Sequence, residues 1–202
     1  MNKIRTAWLA LAFAAVAACS PAPDQGGNAA LDNIFNRKSV RSYTEQALSA
    51  EQIETLLRAA MSAPSGMNLQ PWRFVVVTDA KVRSDLGGLS AKAPAVFVVC
   101  GETMMKGRPS EEGAEAPLIP NGNWNADCAA ATENLLLAAE AIGLGAVWTA
   151  CYPYEERMNQ VRTVLGLPDS VTPYCVVPVG YPAGDDRPKD KWKPENIHYD
   201  RW

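Results

Sequence analysis

The sequence has a single histidine, His198, and its five cysteines, at positions 19, 100, 128, 151 and 175, include no C-x-x-C pair. Structural and catalytic zinc sites combine several histidine and cysteine ligands at short spacings, so we expect no protein-bound metal. No Ser-His-Asp or Cys-His combination can be proposed either, because the one histidine lies close to the C-terminus.

Basic residues are also few and scattered. The chain carries 19 Lys and Arg against 22 Asp and Glu, and without residues 1–18, which contain Lys3 and Arg5, the count is 17 against 22. Proteins that bind nucleic acid neutralise phosphates with clustered Lys and Arg. The absence of such a block excludes nucleic acid from the expected partners.

The N-terminal apolar run, from Ala7 to Ala18, is shorter than the about 20 residues that a transmembrane helix needs. Lys3 and Arg5 precede it, as in the charged region of a secretory signal peptide. It ends Val16-Ala17-Ala18-Cys19, which resembles a bacterial lipobox, where the cysteine is acylated and becomes the new N-terminus. The alternative is an ordinary signal peptide cut after Ala18, with Cys19 incidental. We favour the lipoprotein, because small residues precede the only early cysteine.

The chain is thus divided into a signal peptide (1–18), a lipid-anchored tether (19–30) and a globular domain (31–202). The tether, SPAPDQGGNAA after Cys19, is rich in Pro, Gly and Ala and has no periodic apolar face, which is typical of a flexible linker. Cys19 is the predicted lipidation site, and the protein is expected in the cell envelope, facing the periplasm or the exterior. Resemblance to the sorting signals of enterobacterial lipoproteins implies the outer membrane, because Ser20, and not Asp, follows the cysteine.

Helical and strand patterns alternate along the domain. Helices are predicted at 31–36, from Ser49 to before Pro64, at 80–90, 125–142 and 155–165, and strands at 73–78, 94–100, 146–150 and 174–179. Residues 101–123 show no period and are predicted to be a long surface loop. This interleaving predicts an α/β-like or α+β fold.

Four motifs in order resemble the nitroreductase family over residues 31–202. They are Arg37-Lys38-Ser39-Val40-Arg41, the segment Ala63 to Trp72 (APSGMNLQPW), Gly143 to Trp148 (GLGAVW) and Gly180-Tyr181-Pro182-Ala183. Each is weak alone, and their order makes the set specific. The resemblance implies an α+β fold, with a mixed β-sheet flanked by helices, in an intertwined homodimer that binds FMN between its subunits.

The resemblance also implies which residues contact FMN. The segment for the phosphate and part of the ring matches Arg37, Lys38, Ser39 and Arg41. The loop along the ring and ribityl chain, usually from the other subunit, matches Pro64, Ser65, Gly66, Met67, Asn68 and Gln70. The segment whose backbone meets the reactive edge matches Gly145, Ala146, Val147 and Trp148. The basic residues that complete the phosphate site match Lys189 and Lys191.

These assignments agree with the chemistry of the residues. Guanidinium, hydroxyl and ammonium donors suit a phosphate dianion, and Asn68 and Gln70 can both donate to and accept from the edge of the ring. The plainer interpretations are ordinary surface charges for the first group and a turn before Pro71 for the second. Gly145 is expected where the backbone crowds the cofactor, and Gly143 at a helix end. The cysteines of the domain are expected to be mostly free and buried.

The function implied is an FMN-dependent oxidoreductase that takes hydride from NAD(P)H and passes it to nitroaromatics, quinones or similar electron-poor acceptors. NAD(P)H is not expected outside the cytoplasm, so two alternatives stay open. One is a membrane-anchored flavin redox carrier or binding protein fed by a partner. The other is a specialised flavin reaction such as reductive dehalogenation.

Overall fold

The computed structural model describes residues 27–109 and 111–202, so the predicted signal peptide, Cys19 and most of the tether lie outside it. The helices are α1 (Ala29–Asn36), α2 (Ala50–Met61), α3 (Ala80–Leu86), α4 (Trp124–Ala141) and α5 (Glu155–Leu165). The strands are β1 (Trp72–Val77), β2 (Ala95–Glu102), β3 (Met104–Lys106), β4 (Leu118–Pro120), β5 (Gly145–Ala146), β6 (Thr149–Ala150) and β7 (Val171–Gly180). Short 3₁₀ turns lie at Gly66–Asn68, Gly88–Lys92 and Pro194–Asn196.

Helix α2 begins with a capping box formed by Ser49 and Gln52. The Ser49 hydroxyl accepts from the Gln52 amide at 3.1 Å, and the Gln52 side chain accepts from the Ser49 amide at 2.9 Å. This reciprocal pair satisfies two amides that would otherwise have no partner at the helix start. The helix ends at Met61, ahead of Pro64, and leads directly into the loop that carries the second family motif.

The main sheet has the order β1-β2-β7-β5, with β6 also paired to β7, and all of these pairs are antiparallel. A parallel bridge between Ser39 and Ala146 adds the segment after α1 to the edge, which gives the sheet its mixed character. Together with the flanking helices, this confirms the α+β prediction.

Strand β2 lies at the centre and is buried on both faces. Phe97 and its alternate neighbours pack with α2 and α4, whereas Val96, Val98 and Cys100 pack with α3 and α5. Side chains alternate across a strand, so burial on both faces requires a continuous apolar run, which is what PAVFVVC supplies.

Three predictions of secondary structure were wrong in detail. The helix predicted at 80–90 ends at Leu86, where Gly87 has a φ of 71°, and a 3₁₀ turn follows. Residues 101–123 are not simply a loop, because β3 and β4 pair as a hairpin, with Met105 opposite Ile119. The strand predicted at 146–150 is divided into β5 and β6. Pro178 lies opposite the gap and its carbonyl accepts from the Val147 amide at 3.3 Å, but proline has no N–H to return. The ladder therefore breaks at that point.

The four cysteines of the domain are free and buried, as predicted. Burial raises the pKa of the Cys100 and Cys128 thiols to about 12, because the charged thiolate is poorly solvated there. They remain protonated at neutral pH and pack as small apolar groups. Within residues 27–109 and 111–202, no group of His, Cys, Asp and Glu could hold a metal ion, and no helix has the length and apolarity to span a membrane.

Candidate active site

The segment after α1 is fixed to the sheet by Val40. Its side chain is fully buried, and its amide donates to the Ala146 carbonyl at 3.0 Å. An extended segment alternates its side chains, so the burial of Val40 turns Ser39 and Arg41 towards the outside. The Arg41 amide donates to the Asp186 carboxylate at 3.3 Å, which joins this segment to the C-terminal arm, residues 181–202.

A cleft of about 1150 Å³ opens between these two segments. It contains six basic side chains against three acidic ones, although the whole chain is net negative. Its lining consists of Ile34, Phe35, Arg37, Lys38, Ser39, Arg41, Asp185, Asp186, Arg187, Pro188, Lys189, Asp190, Lys191 and Trp192. The structure therefore brings together all six residues predicted to bind the phosphate, from segments separated by about 150 positions.

Two of the basic residues are oriented by acids on α4. Arg37 Nε lies 3.3 Å from Glu133 Oε1, and Lys38 Nζ lies 2.8 Å from Glu140 Oε1. The guanidinium of Arg37 has further N–H groups beyond Nε, so one anion does not exhaust its donors. Arg37 is thus held at the cleft with capacity for a second anion.

The other basic residues that are predicted to bind the phosphate have fewer polar partners. Among the described residues, Arg41, Lys189 and Lys191 form no ion pair within 4.0 Å. Lys189 and Lys191 are exposed on the arm, and the Ser39 hydroxyl is half-buried at the cleft wall. A phosphate dianion requires basic side chains that are not already paired with an acid, and a hydroxyl donor beside them. The residues present therefore fit the phosphate end of FMN.

The loop Pro64–Gln70, with Asn68 and Gln70 exposed on it, has an unusual backbone. Met67, Asn68 and Gln70 have φ of 51°, 55° and 50°, in the left-handed region that side chains other than glycine seldom adopt. Gln70 Nε2 donates to Asn68 Oδ1 at 3.0 Å, and the Gln70 amide donates to the Ser65 hydroxyl at 3.1 Å. Met67 is 73% exposed at the tip. Strain of this kind is typical of functional sites, where the surrounding structure holds it in place.

None of the residues 64–70 lines the cleft, so one chain does not unite the two halves of the predicted site. The segment Gly145–Trp148 does not line the cleft either, but it is joined to the phosphate segment by the bridge between Ala146 and Ser39. Val147 is buried, and Trp148 packs edge-on to Tyr174 at 5.5 Å between ring centroids.

Gly145 is required by the protein's own packing. A Cβ added there would lie 2.6 Å from the Val40 side chain, so only glycine allows Val40 to approach this closely. Gly143, with φ of 76°, follows the end of α4 as predicted, and Trp72 is buried in the core.

The sequence did not identify the acids around the site. Glu133, Glu140 and Asp186 contact and orient residues that are predicted to bind the phosphate. Asp127 of α4 accepts from the Gly66 amide at 2.9 Å. Asp127 had a recognisable feature, since it is an acid within the otherwise apolar stretch Ala126–Ala131, and such an acid suggests a specific polar contact. The partners of the two glutamates become visible only once α1 is packed on α4.

Comparison with known proteins identifies a family profile and several relatives that match this chain. The profile of the nitroreductase family matches residues 34–118 and 91–181. A protein from Archaeoglobus fulgidus, named provisionally as an NADH dehydrogenase/NAD(P)H nitroreductase, is 38% identical over 181 residues, covering 85% of this chain and 98% of the relative. An FMN reductase (NADPH) from Bacillus subtilis is 29% identical over 187 residues, covering 86% of this chain and 74% of the relative.

Solved structures agree. A crystal structure from Bacteroides thetaiotaomicron, of a protein named provisionally in the same words as the first relative, has 44% identity and a TM-score of 0.77. It covers 87% of this chain and 99% of its own. The family profile spans most of the domain and the similarity extends over nearly the whole length of that structure, so this chain belongs to the nitroreductase family.

Proposed function

We propose that this protein is an FMN-dependent oxidoreductase that accepts hydride from a nicotinamide donor and reduces a nitroaromatic, a quinone or a similar electron-poor compound. The observation that carries the proposal is the basic cleft, where Arg37, Ser39 and Lys191 converge from distant parts of the chain. The family and the names of the relatives support FMN and NAD(P)H as cofactor and donor.

In this proposal the phosphate of FMN is held by Arg37, Ser39, Arg41, Lys189 and Lys191, with Lys38 adding charge. Asn68 and Gln70 contact the edge of the ring, and Met67 covers its face. FMN, when bound, supplies the hydride chemistry, so the protein needs only to bind, orient and shield it. This division of labour fits the buried cysteines, whose thiols are held protonated by burial.

The first test is whether purified protein is yellow, releases FMN and not FAD on heating, and consumes NADH or NADPH when menadione or nitrofurazone is added. We expect both FMN and catalytic oxidation of the nicotinamide. Colourless protein that does not bind added FMN would contradict the central proposal. Bound FMN without any nicotinamide oxidation would favour the alternative of a flavin redox carrier fed by another protein.

We also propose that two copies of the chain form the functional unit. The loop 64–70 does not reach the cleft of its own chain, so a second chain is needed to complete the site. Large apolar side chains are exposed on α1 and on the arm, which is where an exchanged arm would bury them. They are Leu31, Ile34, Phe35, Trp192, Ile197, Tyr199 and Trp202. Typical family members are homodimers, which supports the same assembly.

Light scattering of the detergent-solubilised protein is therefore expected to give the mass of a dimer at every practical concentration, since an interface of this apolar character resembles an obligate one. Removal of residues 184–202 should yield protein that does not dimerise stably, and the loss of Lys189 and Lys191 should also weaken FMN retention. If the arm were only a surface appendage, the truncated protein would still have the mass of a dimer. A monomer that retains FMN would contradict the shared site.

Finally, we propose that the protein is a lipoprotein of the cell envelope, anchored through Cys19. Support comes only from the sequence of residues 1–30, which lie almost entirely outside the described residues. A nicotinamide donor must then be available in that compartment, or another reductant must replace it.

A further inference from the structure

Asp127 combines two features that rarely occur together. It lies in the first turn of α4 and is only 6% exposed, and its Oδ1 accepts from the Gly66 amide at 2.9 Å. Its second oxygen, Oδ2, is buried and has no hydrogen-bond partner among residues 27–109 and 111–202. Burial of a carboxylate oxygen without a hydrogen-bond donor costs free energy of folding. The presence of an acid at position 127 therefore needs an explanation.

A purely structural residue would meet the needs of this position at less cost. The neighbours Ala126, Cys128 and Ala129 are small and uncharged, and an alanine at 127 would leave no carboxylate to desolvate. What alanine would lose is the single bond to the loop. The carboxylate is therefore best explained by what it holds.

The amide that it holds belongs to the turn that sets the strained loop. Asn68 N donates to the Ser65 carbonyl and Leu69 N to the Gly66 carbonyl, each at 3.0 Å, so Gly66 lies within the turn from which the left-handed residues project. The loop is also pressed against the start of α4, since a Cβ on Gly66 would lie 2.8 Å from Asn123 Nδ2. The bond that holds Gly66 therefore also sets the direction in which Met67 and Asn68 project from the turn.

We propose that Asp127 is a positioning residue for FMN: through the Gly66 amide it holds loop 64–70 in the strained conformation that presents Asn68 and Gln70 to the ring. This inference rests on the proposed function, in which that loop contacts FMN. The carboxylate itself does not touch the cofactor, and its effect is transmitted through the backbone of the loop.

A competing role is possible for any acid at this place. Carboxylates in the first turn of a helix stabilise it by interacting with the helix dipole. The dipole effect needs the charge, whereas the loop contact needs only an acceptor at the position of Oδ1. Asp127→Asn keeps the acceptor and removes the charge, and Asp127→Ala removes both. The two roles therefore predict different rankings of these variants.

The experiment uses the full chain in detergent, stripped of FMN, and titrates it with FMN while melting temperature is recorded in parallel. We expect Asp127→Ala to weaken FMN binding about ten-fold and Asp127→Asn to restore the affinity to within about two-fold of wild type. The matched control is Thr132→Val. Thr132 is buried on the same helix and bonds the Cys128 carbonyl at 2.7 Å, away from the loop. It should lower the melting temperature without changing the affinity.

The outcomes separate this inference from the proposed function. Wild-type protein that binds no FMN would refute the function itself. Wild-type protein that binds FMN while Asp127→Ala binds equally well would refute only the positioning role, as would an Asn variant as weak as the Ala variant, or a Thr132→Val variant with the same loss of affinity. If Asp127→Ala does not fold, Asp127→Ser replaces it, because serine is too short to reach the Gly66 amide and the same loss is expected.

Discussion

Replacement of Arg37 by alanine is expected to weaken FMN binding by roughly ten- to a hundred-fold. A hydrogen bond to a charged group contributes about 1.5–3 kcal/mol, and each 1.4 kcal/mol is about a factor of ten in affinity. Arg37 should be the most sensitive cation of the cleft, because Glu133 fixes its planar guanidinium and the two-donor geometry suits a phosphate. Lys191→Ala should also weaken binding, but less, since an exposed lysine is a mobile point charge.

The measurement is a titration of stripped protein with FMN at two salt concentrations. Arg58→Ala is the matched control, since it removes one arginine whose partner, Glu54, is on the same exposed face of α2, outside the cleft. It should leave the affinity unchanged. If Arg37→Ala and Lys191→Ala both bind FMN as wild type does, the phosphate is bound elsewhere and the assignment of the cleft is wrong.

Much of the fold could be predicted because its elements have local causes. The capping box of α2, the glycine after α4 and the uninterrupted apolar run of β2 each specify an element from a few neighbouring residues. The hairpin β3–β4 could not be found in this way. Three-residue strands are too short to show an alternating pattern, and their pairing depends on residues more than ten positions apart. The gap between β5 and β6 depends on Pro178 in a different strand.

The candidate site could likewise be predicted only in part. The types of residue and their order identified the cations of the cleft, but not what orients them. The partners of Arg37 and Lys38 come from α4, about a hundred positions away, and only the packing of α1 on α4 brings them together. Gly145 has a requirement that the sequence does not show: the side chain of Val40 leaves no room for a Cβ there.

The proposed envelope location rests on the arrangement of the first 30 residues. Two cations, an apolar run and the small residues before Cys19 occur in the order that export and lipid modification require. Several acyl chains, at about 0.8 kcal/mol per buried CH₂, would hold the domain firmly on a membrane, while the Pro- and Gly-rich tether would let it stand away from the surface. On this proposal the anchor is the acylated thiol of Cys19.

Replacement of Cys19 by alanine is therefore expected to abolish acylation and to move the protein from the membrane fraction to the soluble fraction. Labelling with a radioactive fatty acid and fractionation of cells that express the full chain would measure both effects. The residues before position 19 remain small, so ordinary cleavage after Ala18 is still possible, and mass spectrometry of the N-terminus would identify it.

FMN binding should be unchanged, since the cleft and the loop lie far along the chain from Cys19. Ser20→Ala is the control, because it alters the same segment and keeps the thiol, and it should remain labelled and membrane-bound. A Cys19→Ala protein that stays in the membrane fraction after cleavage would place the anchor elsewhere and overturn the lipoprotein proposal.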